Sequence, residues 1–386
     1  MIYAVIGANY GDEGKGYTVA HLCMKHLNKG ENTLVVRHNG GAQAGHTVDL
    51  DNTRFVFHQI GAGAIYNADT FWAKTMTPDP YLLIKEVLDF KAEFGRVPKI
   101  YADAETKIVI PFDAIINQEK ENNRGENRHG SCGMGLWEAE LRNKAGYGIT
   151  LREIAAMSTT DLAKCLSDIF DKYVLKRAKE LNILTERLAL DVYAIASEIK
   201  MAMSVIYLVH TDRVKEFISG YKNIVFETGQ GLALDCARED LWPHVTSSHT
   251  DLTNPLVLCE EWETKLDEVV YVTRTYATRH GAGPFPAHRE NLKFEDKTNI
   301  PNPWQGTMRF GYLDIEKMLA RIDNDKEPKY PIKYTLMITH ANETNWNFLV
   351  KKGKIPIGTF KNKYPFLFDK IYVSYSKNPT GVVAMI

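Results

Sequence analysis

The sequence predicts an α/β protein with a mainly parallel central sheet and flanking helices, on three observations. Short β-branched, apolar runs alternate with segments of helical period along most of the chain. The first run breaks into a glycine-rich turn that re-enters a helix. No internal repeat, low-complexity tract or Ser/Gly linker divides the 386 residues, so a single domain over 1–386 is expected.

Taken in order, strands are expected at 1–6, 33–37, 107–110, 224–227, 269–275, 335–339 and 371–374. Helices are expected at 81–94, 113–120, 161–179 and 314–322, each apolar at 3.6-residue spacing. The polar run 121–128 reads as a mobile surface loop leading into Gly130-Ser131-Cys132-Gly133, and 151–220 as a mostly helical insertion. Residues 286–310 are rich in Pro, Asn and Lys with little periodicity, a long loop of the kind that carries function.

Composition narrows the function classes. Lys plus Arg (47) nearly cancel Asp plus Glu (48), so no bulk field draws the chain to nucleic acid or an anionic membrane. Five separated cysteines without a CxxC pair argue against a disulfide framework and a structural zinc site. With no basic leader and no apolar run near about 18 residues, a cytoplasmic protein is expected.

The segment Gly11-Asp12-Glu13-Gly14-Lys15-Gly16 sits between the first strand and a helical run at 17–27. A strand, glycine turn and helix N-terminus aim backbone N–H groups and the helix dipole at one spot, which suits phosphate. The regular phosphate loop reads GxxxxGK[ST]. Here Asn9 replaces its first glycine and Gly16 its hydroxyl residue. Two carboxylates, Asp12 and Glu13, instead lie in a turn built for anions, which is costly unless a metal ion or a substrate proton sits there. Thirty residues on, His46 follows the glycine-rich stretch from Asn39 to Gly45, and beside an anion turn an acid–base role suits it.

Six ordered segments carry a resemblance: Gly11 to Gly16; Gly40-Gly41 with Ala44-Gly45-His46-Thr47; Gly229-Gln230-Gly231 with Asp235; Val245-Thr246-Ser247-Ser248; Gly281 to Pro286; and Gly311-Tyr312-Leu313-Asp314. Together they resemble the adenylosuccinate synthetase family, which joins aspartate to C6 of a purine nucleotide after phosphorylating its 6-oxygen from a nucleoside triphosphate. The resemblance implies that Asp12 takes the N1 proton, that His46 donates to the transferring phosphoryl group, and that Lys15 holds phosphate. It places Mg2+ on Asp12 and the Gly45 carbonyl. The triphosphate would run along Gly11, Glu13, Gly14, Lys15 and Gly16, past Gly45, His46 and Thr47, to Thr339, Asn342 and Ser374. The monophosphate and aspartate would meet Asn39, Gln43, Gln230, Thr246, Thr307 and Arg309. Ser131 would substitute where a family threonine falls at Cys132, and Arg142 would reach across a homodimer interface.

Three departures bear on substrate choice. Thr339-His340-Ala341-Asn342 stands where the family reads guanine with a Thr-Lys-x-Asp element. An amide in place of that carboxylate suits adenine, so the expected donor is ATP or dATP in preference to GTP. Arg309 is the single cation left of an arginine-rich segment, and Ala42-Gln43 replaces the usual His-Asn. This set resembles the viral 2-aminoadenylosuccinate synthetases, which act on dGMP for phage DNA and would work in a host-cell cytoplasm. Retention of Asp12 fits either a less diverged viral enzyme or an ordinary IMP-using synthetase with an altered donor site. The expected activity is aspartate ligation to dGMP with ATP or dATP, the alternative ligation to IMP with GTP. A nucleotide-binding switch, the other class, would not need Asp12 and His46 together.

Overall fold

The computed structural model describes residues 1–299, 301, 303–364 and 366–385. Its frame is a ten-stranded sheet of β1 (Ile2–Gly7), β2 (Thr33–Arg37), β3 (Asp69–Trp72), β4 (Ile100–Asp103), β5 (Ile206–Val209), β6 (Asn223–Glu227), β7 (Glu268–Arg274), β8 (Lys333–Thr339), β9 (Lys370–Ser374) and β10 (Val382–Ala384). The order is β10-β9-β8-β7-β1-β6-β2-β3-β4-β5, and every pairing is parallel except that of β9 with β10. The central strands are continuous apolar runs because both faces are covered: Val5, Val35, Val225 and Val270 face one buried cluster, and Ile6, Leu34, Phe226 and Tyr271 the other. Their carboxyl ends therefore gather along one edge, where ligands collect in such sheets.

Differences from the sequence expectations have local causes. The segment expected as a strand at 107–110 joins no strand, and only Lys107 forms an isolated bridge, with Thr150. Strands β3, β4 and β5 are four residues each, too short to show a period of their own. The polar run at 121–128 is not a loop at its start. Helix Pro111–Arg124 continues through it, and Glu121 is buried, pairing with Arg124 and accepting the Gly130 N–H at 3.0 Å. The helical region from 151 packs on the core through Leu151, Leu162, Leu166 and Ile199, but β5 returns to extend the central sheet. The loop at 286–310 is irregular up to the strand Met308–Gly311; residues 300 and 302 lie outside the described residues. Among the described residues, no helix is long and apolar enough to cross a membrane.

Candidate active site

At the end of β1 the chain turns through Gly11 (φ 93°), Asp12 (φ 58°) and Gly14 (φ 90°) before helix Lys15–Leu27 begins. Gly14 caps the helix without a side-chain hydrogen bond, so first-turn N–H groups remain for a ligand. A Cβ on Gly14 would stand 3.0 Å from Thr339 Cγ2, and Thr339 Oγ1 donates to the Glu13 carbonyl at 2.8 Å, locking the turn to the end of β8. Gly16 is required for another reason. A Cβ there would fall 2.7 Å from the Cβ of His46, so the position that a phosphate loop gives to a hydroxyl is surrendered to the histidine.

His46 opens a hairpin of His46–Leu50 and Thr53–Phe57. Its Nδ1 lies 2.7 Å from both Glu227 Oε1 and Arg37 Nη1. A carboxylate can only accept and a guanidinium can only donate, so Nδ1 can serve one of the two; its proton is assigned toward Glu227, and Arg37 then pairs with the Glu227 carboxylate in place of the ring. Arg37 and Glu227 are register partners at the ends of β2 and β6, 3.4 Å apart and fully buried. Burial opposes ionisation of Glu227, yet His46, Arg37 and the Ala62 N–H outweigh it and hold the carboxyl at about 2. Burial pushes the His46 ring down to about 4. The neutral ring is oriented by Nδ1, leaving Nε2 for a ligand.

These groups open on a cavity of about 1010 Å³, large enough for nucleotide-sized ligands, walled by Asp12, Lys15, Gln43, His46, Gln230 and Arg274 among others. Burial raises the Asp12 carboxyl, against Arg274, His280 and Lys15, and Arg274 also donates to the Asp12 carbonyl. Burial lifts Glu13 to about 7, while its Oε1 accepts the Asn9 N–H at 2.5 Å. Lys15, also buried, is driven below the usual lysine range. Among the described residues, Glu13 Oε2, both polar atoms of Gln43 and Gln230 Oε1 are buried without a hydrogen-bond partner. Such atoms are costly unless a ligand meets them. The Asp12 carboxylate and the exposed Gly45 both face this cavity, and a carboxylate with a carbonyl oxygen suits Mg2+, which completes its shell with water and phosphate.

Thr339, His340, Asn342, Ser374, Gly11, Gly14, Thr47 and Cys132 also line the cavity. Other expected contacts are spent elsewhere. Asn39 exchanges hydrogen bonds with the backbone of Gly229, at 2.8 and 3.3 Å, and so braces the Gln230 loop. Ser131 donates to Asn117 at 2.7 Å. Arg142 is fully buried, bound to Asp113 at 2.9 Å and to the carbonyls of Ile108 and Tyr147; it does not reach the cavity, correcting the expectation of an interface arginine. Arg309 donates to the carbonyls of Gly281 and Gly283 at 2.6 and 3.0 Å, and neither it nor the exposed Thr307 walls the cavity. Thr246 lies outside the wall as well, its N–H held by Leu234 at 2.9 Å.

Sequence motifs do not mark Glu227, Arg37 or Arg274; their signal is a charge at or next to the end of each of three apolar runs. Asp296 to Asn299 of the long loop also wall the cavity, and Thr298 meets Thr47 at 2.8 Å.

The profile of the adenylosuccinate synthetase family matches residues 4–317. The chain belongs to the adenylosuccinate synthetase family. Adenylosuccinate synthetase of Microcystis aeruginosa is 29% identical over 290 residues, covering 74% of this chain and 62% of that protein. The Halothermothrix orenii adenylosuccinate synthetase is 28% identical over 319 residues, covering 81% and 72%. The chain thus spans less than two thirds of the Microcystis relative's length. The fold is similar to that of fully ligated Plasmodium falciparum adenylosuccinate synthetase, with a TM-score of 0.76 at 17% identity over 100% of this chain and 99% of that one. A cyanophage S-2L succinoaminodeoxyadenylate synthetase bound to dGMP and dATP matches with a TM-score of 0.61 at 15% identity, covering 99% and 95%. Family membership rests on the profile match over residues 4–317, and the two solved structures share the fold.

Proposed function

We propose that this chain is a ligase that joins L-aspartate to C6 of IMP, consuming a nucleoside triphosphate, GTP on the pattern of the family. The convergence of Asp12, Lys15 and the Glu227-oriented His46 on one cavity carries the reading. Asp12, its carboxyl raised by burial, takes the purine N1 proton, so that O6 attacks the γ-phosphorus and the diphosphate leaves. The aspartate amine then displaces phosphate from C6. Nε2 of His46, protonated as the triphosphate arrives, donates to the transferring group, and Lys15 with the turn's N–H groups holds its charge. Mg2+ held by Asp12 and the Gly45 carbonyl would neutralise the phosphates. Gln43 and Gln230 supply unsatisfied amide groups suited to a base edge. A homodimer in the cytoplasm completes the proposal.

Asn342, an amide lining the cavity, supports a second reading, dGMP as acceptor with ATP or dATP, as in the ligands named for the cyanophage structure. Phosphate release measured with IMP or dGMP, crossed with GTP or ATP, with and without aspartate, separates the two. Turnover with IMP and GTP supports the first; turnover confined to dGMP with ATP or dATP overturns it. Release that needs no purine monophosphate would overturn both in favour of a plain nucleotide hydrolase or switch.

A further inference from the structure

Behind the Gln230 loop, Asp235, Cys236 and His249 bring a carboxylate, a thiol and an imidazole together, all ligand atoms within 4.8 Å of one another. His249 Nδ1 lies 3.5 Å from Cys236 Sγ and 3.5 Å from Asp235 Oδ1. Zinc bonds of about 2.0–2.1 Å to nitrogen, 2.3 Å to sulfur and 2.0–2.2 Å to oxygen give tetrahedral edges of about 3.5 Å for N···S and 3.4 Å for N···O. The two separations from His249 therefore match two edges of a zinc tetrahedron, and the third, between Cys236 Sγ and the Asp235 carboxylate, lies within 4.8 Å.

The donors are held from outside. Asp235 is buried and accepts the N–H groups of Ala237 at 2.8 Å and Thr250 at 2.5 Å. Cys236 is free of any disulfide. The His249 side chain is 39% exposed, so the site opens to solvent on that side. Asp251 approaches His249 at 3.9 Å, while Arg238, the neighbouring cation, is engaged by Asp240 at 2.8 Å. The surroundings thus favour positive charge.

We propose that Asp235, Cys236 and His249 form a binding site for a zinc-class divalent cation, with the fourth position left to water. A thiol and imidazole select this class over Mg2+ and Ca2+, which prefer all-oxygen sites. The site is separate from the Asp12 and Gly45 pair. It fastens the two ends of the 237–248 loop, which carries Thr246 and the buried hydroxyls of Ser247 and Ser248, unpartnered among the described residues.

The test uses full-length protein stripped with a chelator, desalted under reducing conditions and titrated with Co2+ and then Zn2+ alone. One equivalent of Co2+ should produce a thiolate charge-transfer band and tetrahedral visible bands, both lost on adding one equivalent of Zn2+. Cys236→Ser should lose the charge-transfer band and His249→Ala the bound equivalent, with circular dichroism of the wild type, whereas Cys165→Ser keeps both. His249→Cys, a conservative ligand swap, should restore binding and intensify the band. Wild-type protein that shows no band, or a band and stoichiometry unchanged in Cys236→Ser, overturns the site.

Discussion

Nδ1 of His46 lies 2.7 Å from Oε1 of Glu227, and the carboxylate is shared with the buried Arg37. This chain fixes the tautomer of its histidine from the floor of the sheet, through a pair that spans adjacent strand ends. Glu227→Gln should lower turnover by roughly two powers of ten, as loss of support for a positioned acid typically does. It should also move the pH profile, because Nε2 becomes harder to protonate without the carboxylate. Denaturant unfolding separates this from misfolding, since leaving Arg37 without its counter-charge costs about 3–5 kcal/mol. A variant with unchanged turnover and pH profile would remove Glu227 from the mechanism.

The approach of Gly16 to His46 leaves no space for a methyl group, with 2.7 Å available between Cβ positions. Gly16→Ala should displace the imidazole, cutting turnover while costing about 1–3 kcal/mol of stability through overpacking. Steady-state kinetics beside a urea melt measures both. Full activity with wild-type stability would contradict the packing.

Arg142 sits in the core rather than on a wall of the cavity. Arg142→Met strands the Asp113 carboxylate and should destabilise the fold by about 3–5 kcal/mol. The KM for the purine monophosphate should stay unchanged in the folded fraction. A raised KM without loss of stability would return this arginine to the substrate.

Asp79 caps helix Pro80–Phe94 through the Tyr81 N–H, and burial lifts its carboxyl to about 7. The unfolded chain releases this proton near pH 4. Between about pH 4 and 7 the folded state therefore binds more protons, and the stability contributed by the protonated form is lost as pH rises through 7. Asn also caps helices and cannot ionise. Asp79→Asn should accordingly gain stability relative to the wild type as pH climbs from 4.5 to 8, by a few kcal/mol at most. A pH-independent difference in urea midpoint would refute the buried carboxyl.

Asn342 lines the cavity, as do Thr339 and Ser374. Asn342→Asp should shift the kcat/KM ratio toward guanine over adenine triphosphates by about tenfold or more, since a carboxylate accepts from two guanine donors. Competition assays with paired triphosphates read the ratio directly. An unaltered ratio would mean that Asn342 does not meet the base.

Much of this was legible beforehand where signals are local. The glycine turn at 11–16, the apolar strands at 33–37 and 335–339 and the helix after Pro80 follow from spacing and backbone chemistry, which neighbouring residues set among themselves. The short strands β3 to β5 escaped because four residues joining an existing sheet need no period of their own. Arg142 misled for a related reason: a guanidinium in a sequence does not say whether core carbonyls or a ligand will occupy it.

The sequence by itself determined the α/β class, the phosphate turn and the family, because each rests on contiguous residues or on motifs kept in order. Only the tertiary structure decided that Glu227, 181 residues beyond His46, orients its ring, that Gly16 yields space to that ring, and that Asn39 braces a loop. Parallel strands far apart in the chain end side by side, so charges that look unrelated in sequence become one buried network.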